Sequence, residues 1–141
     1  VDAACHPQVV AVIATRARWL GIDVVTGDAW ADYDPARCFG AHVQSPDTFG
    51  RLRDIAPLAQ RVHDGGGLLS VGCDPLALLV TASPGAQGAD VAIGSAQRFG
   101  VPMGAGGPHA AFMATRDAFR RAMPGRIIGV STDAAGAPAY R

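Results

Sequence analysis

Asp74 directly follows the apolar run Leu68–Cys73, so it stands where a buried strand would end and where open α/β sheets meet their ligands. A carboxylate there can hold a ring nitrogen or a metal ion. It can equally cap a helix that starts at Pro75. The stretch Gly104–His109 offers backbone N–H groups that could cradle an anion. It could also be a tight turn that lets the backbone pass close to its neighbours. It is not GxGxxG placed between a strand and a helix, and no Gly-Lys-Ser/Thr follows it. Arg98 presents a fork suited to a carboxylate or phosphate, or to a structural ion pair. His109 and His6 are candidate bases, although a single imidazole in either place serves equally well as a hydrogen-bonded structural residue. Ser95 lies outside any GxSxG, so a nucleophile elbow is absent. Asp32 and Asp34 fall in a turn-rich stretch and read as turn formers.

The charge inventory removes other chemistries. All 12 positive side chains are Arg and all 12 negative ones are Asp. With no lysine, no Schiff base to a carbonyl cofactor can form within this chain. Cys5, Cys38 and Cys73 are odd in number and contain no CxxC, which argues against a disulfide framework and a zinc site and fits a reducing cytoplasm. The net charge is zero and no basic stripe is present, so nucleic acid and acidic membrane surfaces are not expected partners. No apolar run approaches a membrane span. The chain opens on Val1 without an initiator Met and is read as an internal piece.

The elements that must position these residues follow from periodicity. Pro7–Leu20 reads as a helix, with Pro7 in its first turn and Gly21 as its stop. Val1–Cys5 before it and Ile22–Val25 after it read as strands, a β-α-β order. Further strands are expected at Phe39–Gln44, Leu68–Cys73, Asp90–Gly94, His109–Thr115 and Arg126–Ser131. A helix is expected over Ile55–Val62, capped by Asp54 and stopped by Gly65–Gly67, with short helices at Pro75–Leu79 and Arg116–Met123. The result is a three-layer α/β/α fold on a mostly parallel sheet.

One long segment says more. Gly94-Ser95-Ala96-Gln97-Arg98-Phe99-Gly100-Val101-Pro102-Met103-Gly104-Ala105-Gly106-Gly107-Pro108-His109-Ala110-Ala111-Phe112 resembles the signature loop in the amino-terminal half of the glycine cleavage system P-protein family. The likeness continues through Met123–Ser131 and, upstream, through Cys5–Gln8, Thr15–Ala17 and Gly85–Asp90, so it spans the chain. Cys73 and Pro75 depart from the Ala and Leu expected beside Asp74.

The resemblance implies the large domain of a fold-type-I pyridoxal-phosphate enzyme, with residues 1–141 as one partial domain cut at both ends. It implies a complete glycine dehydrogenase that decarboxylates glycine with the cofactor as electron sink and passes the aminomethyl group to the lipoyl arm of H-protein. The cofactor's lysine would lie in the carboxyl-terminal half or a second subunit, and none is expected on this segment. Near the place of that lysine this chain has Gln97-Arg98, and Asp74 resembles the carboxylate that pairs with the pyridine nitrogen. Asp74, Gln97, Arg98 and His109 are therefore vestigial cofactor-site candidates, with no catalytic residue and no metal ligand assigned. The segment would be structural and would complete a dimer-like interface, in a bacterial cytoplasm or a mitochondrion. Three rivals stand beside this: a scaffold or regulatory domain of the same fold, a nucleotide-binding module using Gly104–Gly107, and another fold-type-I enzyme, which would need a lysine.

Overall fold

A computed structural model describes residues 1–141. Its central sheet has four strands: β1 (Gly40–Ser45), β2 (Leu68–Cys73), β3 (Val91–Ser95) and β4 (Ala111–Thr115), in that spatial order. The first three run parallel and β4 runs antiparallel to β3. Helices α1 (Pro7–Trp19), α2 (Ala29–Asp32) and α3 (Ala56–Asp64) precede or link them, and a hairpin of β5 (Val130–Thr132) and β6 (Pro138–Tyr140) follows.

Glycine ends both long helices by the same device. After α3, Gly66 adopts φ 73°, Gly67 N–H reaches Val62 O at 2.9 Å and Gly66 N–H reaches His63 O at 2.8 Å. After α1, Gly21 at φ 66° allows Ile22 N–H to bond Ala17 O at 3.0 Å. These left-handed caps satisfy carbonyls that the helix leaves unpaired. The expected stops at Gly21 and Gly65–Gly67 are thus present.

The core lies on one face of the sheet. Ile55, Leu58, Ala59 and Val62 repeat at helical spacing and pack on Val43, Leu69 and Val71. Burying each large aliphatic side chain stabilises the fold by about 1.5–3 kcal/mol. Arg61 of α3 also donates Nη1–H to Trp30 O at 2.7 Å, and Nη2 to the carbonyls of Ala31 and Tyr33, so one guanidinium closes the end of α2.

Several elements differ from the sequence reading. Val1–Cys5 and Ile22–Val25 are not strands; one parallel bridge, Asp2 to Gly27, replaces them. Asp2 N–H donates to His42 O at 2.9 Å, so this remnant still lies along the outer edge of β1. Pro75–Leu79 is a 3-10 turn, and the helix expected over Arg116–Met123 shrinks to a 3-10 turn at Asp117–Phe119. Strand pairing expected from Arg126 begins only at Val130.

The surface is large for the chain's mass. It exposes 9491 Å², against about 6,800 Å² for a compact monomer of this size. Trp19, Leu79, Val80, Ile127, Ile128, Val130 and Tyr140 are all among the exposed apolar side chains. No helix is long and apolar enough to cross a membrane.

Candidate functional site

Strand alternation sends His42 and Gln44 of β1 to the face opposite the α3 core. The register sets His42 beside Ser70 and Gln44 beside Gly72, and Gly72 beside Ile93. Gly72 has no side chain, and the space above it is the floor of an open cleft of about 750 Å³ at the carboxyl ends of β1–β3. His6 and Val9 at the start of α1, with Phe112 of β4, form its walls.

Two predicted residues meet there. Asp74 caps the turn after β2 by accepting Leu76 N–H at 3.0 Å through Oδ1, while its Oδ2 is paired with Arg98 Nη1. Capping and a charged partner are both realised by one carboxylate. Arg98 is carried in by the turn Gln97–Phe99 that follows β3. Gln97 and His109 are not brought to the cleft. Gln97 N–H bonds Ser95 Oγ at 3.2 Å, and His109 is exposed on the Gly-rich loop. That loop holds Ala105, Gly106 and Gly107 at positive φ, with Gly107 N–H on Gly104 O at 2.8 Å, which is the geometry of a tight turn. His6 sits at the cleft mouth, its Nδ1 2.9 Å from Thr48 Oγ1 and its backbone N–H on Gln44 Oε1 at 3.2 Å.

Sequence reasoning missed His42. The residue is 8% exposed; Nδ1 lies 2.8 Å from Ser70 Oγ, and Nε2 has no partner. Burial pushes the imidazole below its ordinary value of 6.5, so it stays neutral at physiological pH. A buried polar atom left unpaired costs about 1–3 kcal/mol. The period of two in His42-Val43-Gln44 was the available signal.

Two of the three cysteines, Cys5 and Cys73, are poor nucleophiles. All three are free thiols; burial pushes Cys5 up to about 11 and, with the neighbouring Asp74 charge, also raises Cys73. No group of three His, Cys or Asp side chains converges as metal ligands. The arrangement can therefore bind and orient a small polar molecule by hydrogen bonds and charge.

A sequence model of the family described as Glycine cleavage system P-protein matches residues 1–141. Glycine dehydrogenase (decarboxylating) from Gluconobacter oxydans (strain 621H) is 60% identical over the whole of this chain, and that from Sinorhizobium medicae (strain WSM419) is 55% identical. The chain spans only 15% of the length of each of these curated relatives. Among solved structures, an inhibitor-bound glycine decarboxylase (P-protein) of the glycine cleavage system superposes with a TM-score of 0.87 at 34% identity, covering 99% of this chain and 33% of that one. A methionine gamma lyase from Micromonospora echinospora shares the fold, with a TM-score of 0.64 at 21% identity over 86% of this chain and 34% of that one. The sheet and its flanking helices are those of fold-type-I pyridoxal-phosphate enzymes. The match over all 141 residues shows that the chain belongs to the glycine cleavage system P-protein family.

Proposed function

We propose that this chain is a structural, non-catalytic part of one large domain in a glycine dehydrogenase (decarboxylating). The complete protein would decarboxylate glycine and pass the aminomethyl group to the lipoyl arm of H-protein. Pyridoxal phosphate would supply the electron sink for that reaction from the rest of the protein.

The single observation that carries the non-catalytic role is the Asp74–Arg98 pair. Asp74 stands at the strand end where a carboxylate could hold a pyridine nitrogen, and a guanidinium occupies it instead. No lysine exists in the chain to anchor the cofactor covalently. The residues present therefore do not fit that cofactor.

The excess accessible surface supports a packing role. It exceeds the compact expectation by more than a standard protein–protein interface buries. The exposed Ile127, Ile128, Val130 and Tyr140 would be covered by other parts of the protein, whether the same chain or a second subunit.

The test is made on the complete protein. Asp74→Asn is expected to leave bound cofactor, read from its absorbance, at the wild-type level. Loss of the cofactor in that variant would place Asp74 in a working cofactor site and overturn the reading. Arg98→Ala is expected to weaken assembly or slow glycine–carbon dioxide exchange; unchanged values of both would remove the interface role.

A further inference from the structure

Residues 126–141 stand apart from the body of the fold. Their hydrogen bonds, such as Gly129 N–H on Arg141 O at 2.9 Å and Asp133 N–H on Ala137 O at 2.9 Å, all stay among themselves. A two-stranded hairpin with no supporting layer is marginally stable in water at best. This one is nonetheless preshaped, because Asp133 Oδ1 holds the turn through Ala135 and Ala137 N–H. Its register sets Val130 opposite Tyr140, and the two are 80% and 83% exposed. Ile127 and Ile128 lead into the same strand and are exposed as well.

Charge is unevenly placed too. Residues 116–141 contain Arg116, Arg120, Arg121, Arg126 and Arg141 against Asp117 and Asp133, so a chain of zero net charge is +3 here and −3 elsewhere. Arg116 is paired with buried Asp90, Arg120 with Asp117, and Asp133 is committed to its turn. Arg121, Arg126 and Arg141 are exposed and have no Asp partner. The Gly129–Arg141 pairing sets Arg126 and Arg141 at the open end of the hairpin, beside Ile127 and Ile128. An aromatic and aliphatic face edged by arginine is the composition of a protein interface. Nucleic acid would meet the guanidinium groups but leave Val130 and Tyr140 wet.

Length and area indicate the neighbour. The chain makes up 33% of the solved P-protein chain but 15% of each curated relative, so a relative has room for a second unit of that solved size. The surface in excess of a compact monomer is several times the roughly 800 Å² that one partner gives to a standard interface, so more than one neighbour covers this chain.

We infer that the β5–β6 hairpin is a docking arm that lies on a second folded unit of the same protein, against an apolar surface rimmed by carboxylates. Val130 and Tyr140 enter the apolar part, and Arg121, Arg126 and Arg141 meet the rim. This rests on the packing role proposed above and gives that role a partner of stated chemistry.

The test places the photocrosslinker p-benzoylphenylalanine at position 140 of the complete protein and identifies the captured peptide by mass spectrometry. Capture of a segment in the second unit where Asp and Glu outnumber Lys and Arg is expected. Capture confined to the hairpin's own unit, or of a basic segment, overturns the inference. Arg126→Glu with Arg141→Glu speeds amide exchange over Val130–Tyr140 at least tenfold, whereas Arg126→Lys with Arg141→Lys leaves it unchanged. Exchange that the charge reversal does not alter removes the carboxylate rim. Arg98→Ala keeps the two readings apart: if it weakens assembly while the hairpin is neither protected nor captured, the packing role stands and the docking arm falls.

Discussion

Asp74 and Asp90 each lie one residue outside a strand of the same sheet, yet their surroundings are opposite. Asp90 precedes β3 and is 2% exposed. It accepts Leu69 N–H at 2.8 Å, lies 2.8 Å from His63 Nε2, and pairs with Arg116 Nε at 3.3 Å. Thr115 Oγ1 donates to its carbonyl at 2.9 Å, so β2, β3, β4 and α3 are tied at one point. Asp74 follows β2, is partly open, and shares a cleft with an unpaired imidazole nitrogen. The amino ends of the strands spend their polar groups on each other; the carboxyl ends leave some unspent. In α/β sheets the carboxyl ends are where ligands bind, and here the difference appears as hydrogen-bond satisfaction.

Breaking the saturated end should cost most. Asp90→Ala removes the acceptor of the buried Leu69 N–H and the partner of both His63 Nε2 and the Arg116 guanidinium, for a loss of about 3–5 kcal/mol. Amide hydrogen exchange at Leu69 and its β2 neighbours in the complete protein reads this; unchanged protection would mean the node is decorative. Gly94→Val should cost about 1–3 kcal/mol by overpacking. An added Cβ would stand 2.7 and 2.8 Å from the Phe112 ring and would also meet the Cys73 carbonyl. Faster exchange across the β3–β4 pairing is the expected sign.

The open end should respond less. Asp74→Ala loses a cap worth about 1 kcal/mol. Its partner Arg98 is more than half exposed and can turn to solvent, so exchange should quicken at Leu76 but not at Leu69. A loss as large as that of Asp90→Ala would erase the contrast between the two ends.

The smallest effect is that of pH. Burial lowers the folded pKa of His42 from 6.5, so the unfolded chain takes up the proton first as pH falls. The stability tied to neutral His42 is therefore full above 6.5 and lost below it. Asp47 acts in a lower window. Burial raises its carboxyl, but N–H donors from Arg51 and Phe49 and the Arg51 guanidinium outweigh that and hold it below 3.8, so its contribution is lost only in more acid solution. Thermal unfolding of the complete protein at neutral pH and at roughly pH 5 should separate the two, since only the His42 contribution fades in that interval. A His42→Gln variant should flatten the slope, and an unchanged slope would remove His42 as its source.

Legibility in the sequence tracked locality. Leu68–Cys73 was readable to the residue because three glycines stop the chain before it and Asp74-Pro75 turn it afterwards. Ile22–Val25 carries equally good strand residues and forms none, since pairing needs a partner along its length and only Gly27 finds one, at Asp2. The β5–β6 hairpin went unread although its turn was marked: Asp133 Oδ1 accepts from Ala135 and Ala137 N–H, and Gly136 takes φ 83°. Within the candidate site, Asp74 and Arg98 were found by position and resemblance, while their pairing across 24 residues was not visible.

The sequence alone determined the helix stops, the central strands, the absence of an anchoring lysine and the family. Each is a matter of residue type and short spacing. Tertiary structure decided which polar groups are spent and which are left over: Asp90 saturated, Asp74 held by Arg98, His42 buried with a bare nitrogen. Those outcomes depend on strand register and on which face each side chain enters. Register follows from contacts between distant segments, which residue order constrains only through the fold as a whole.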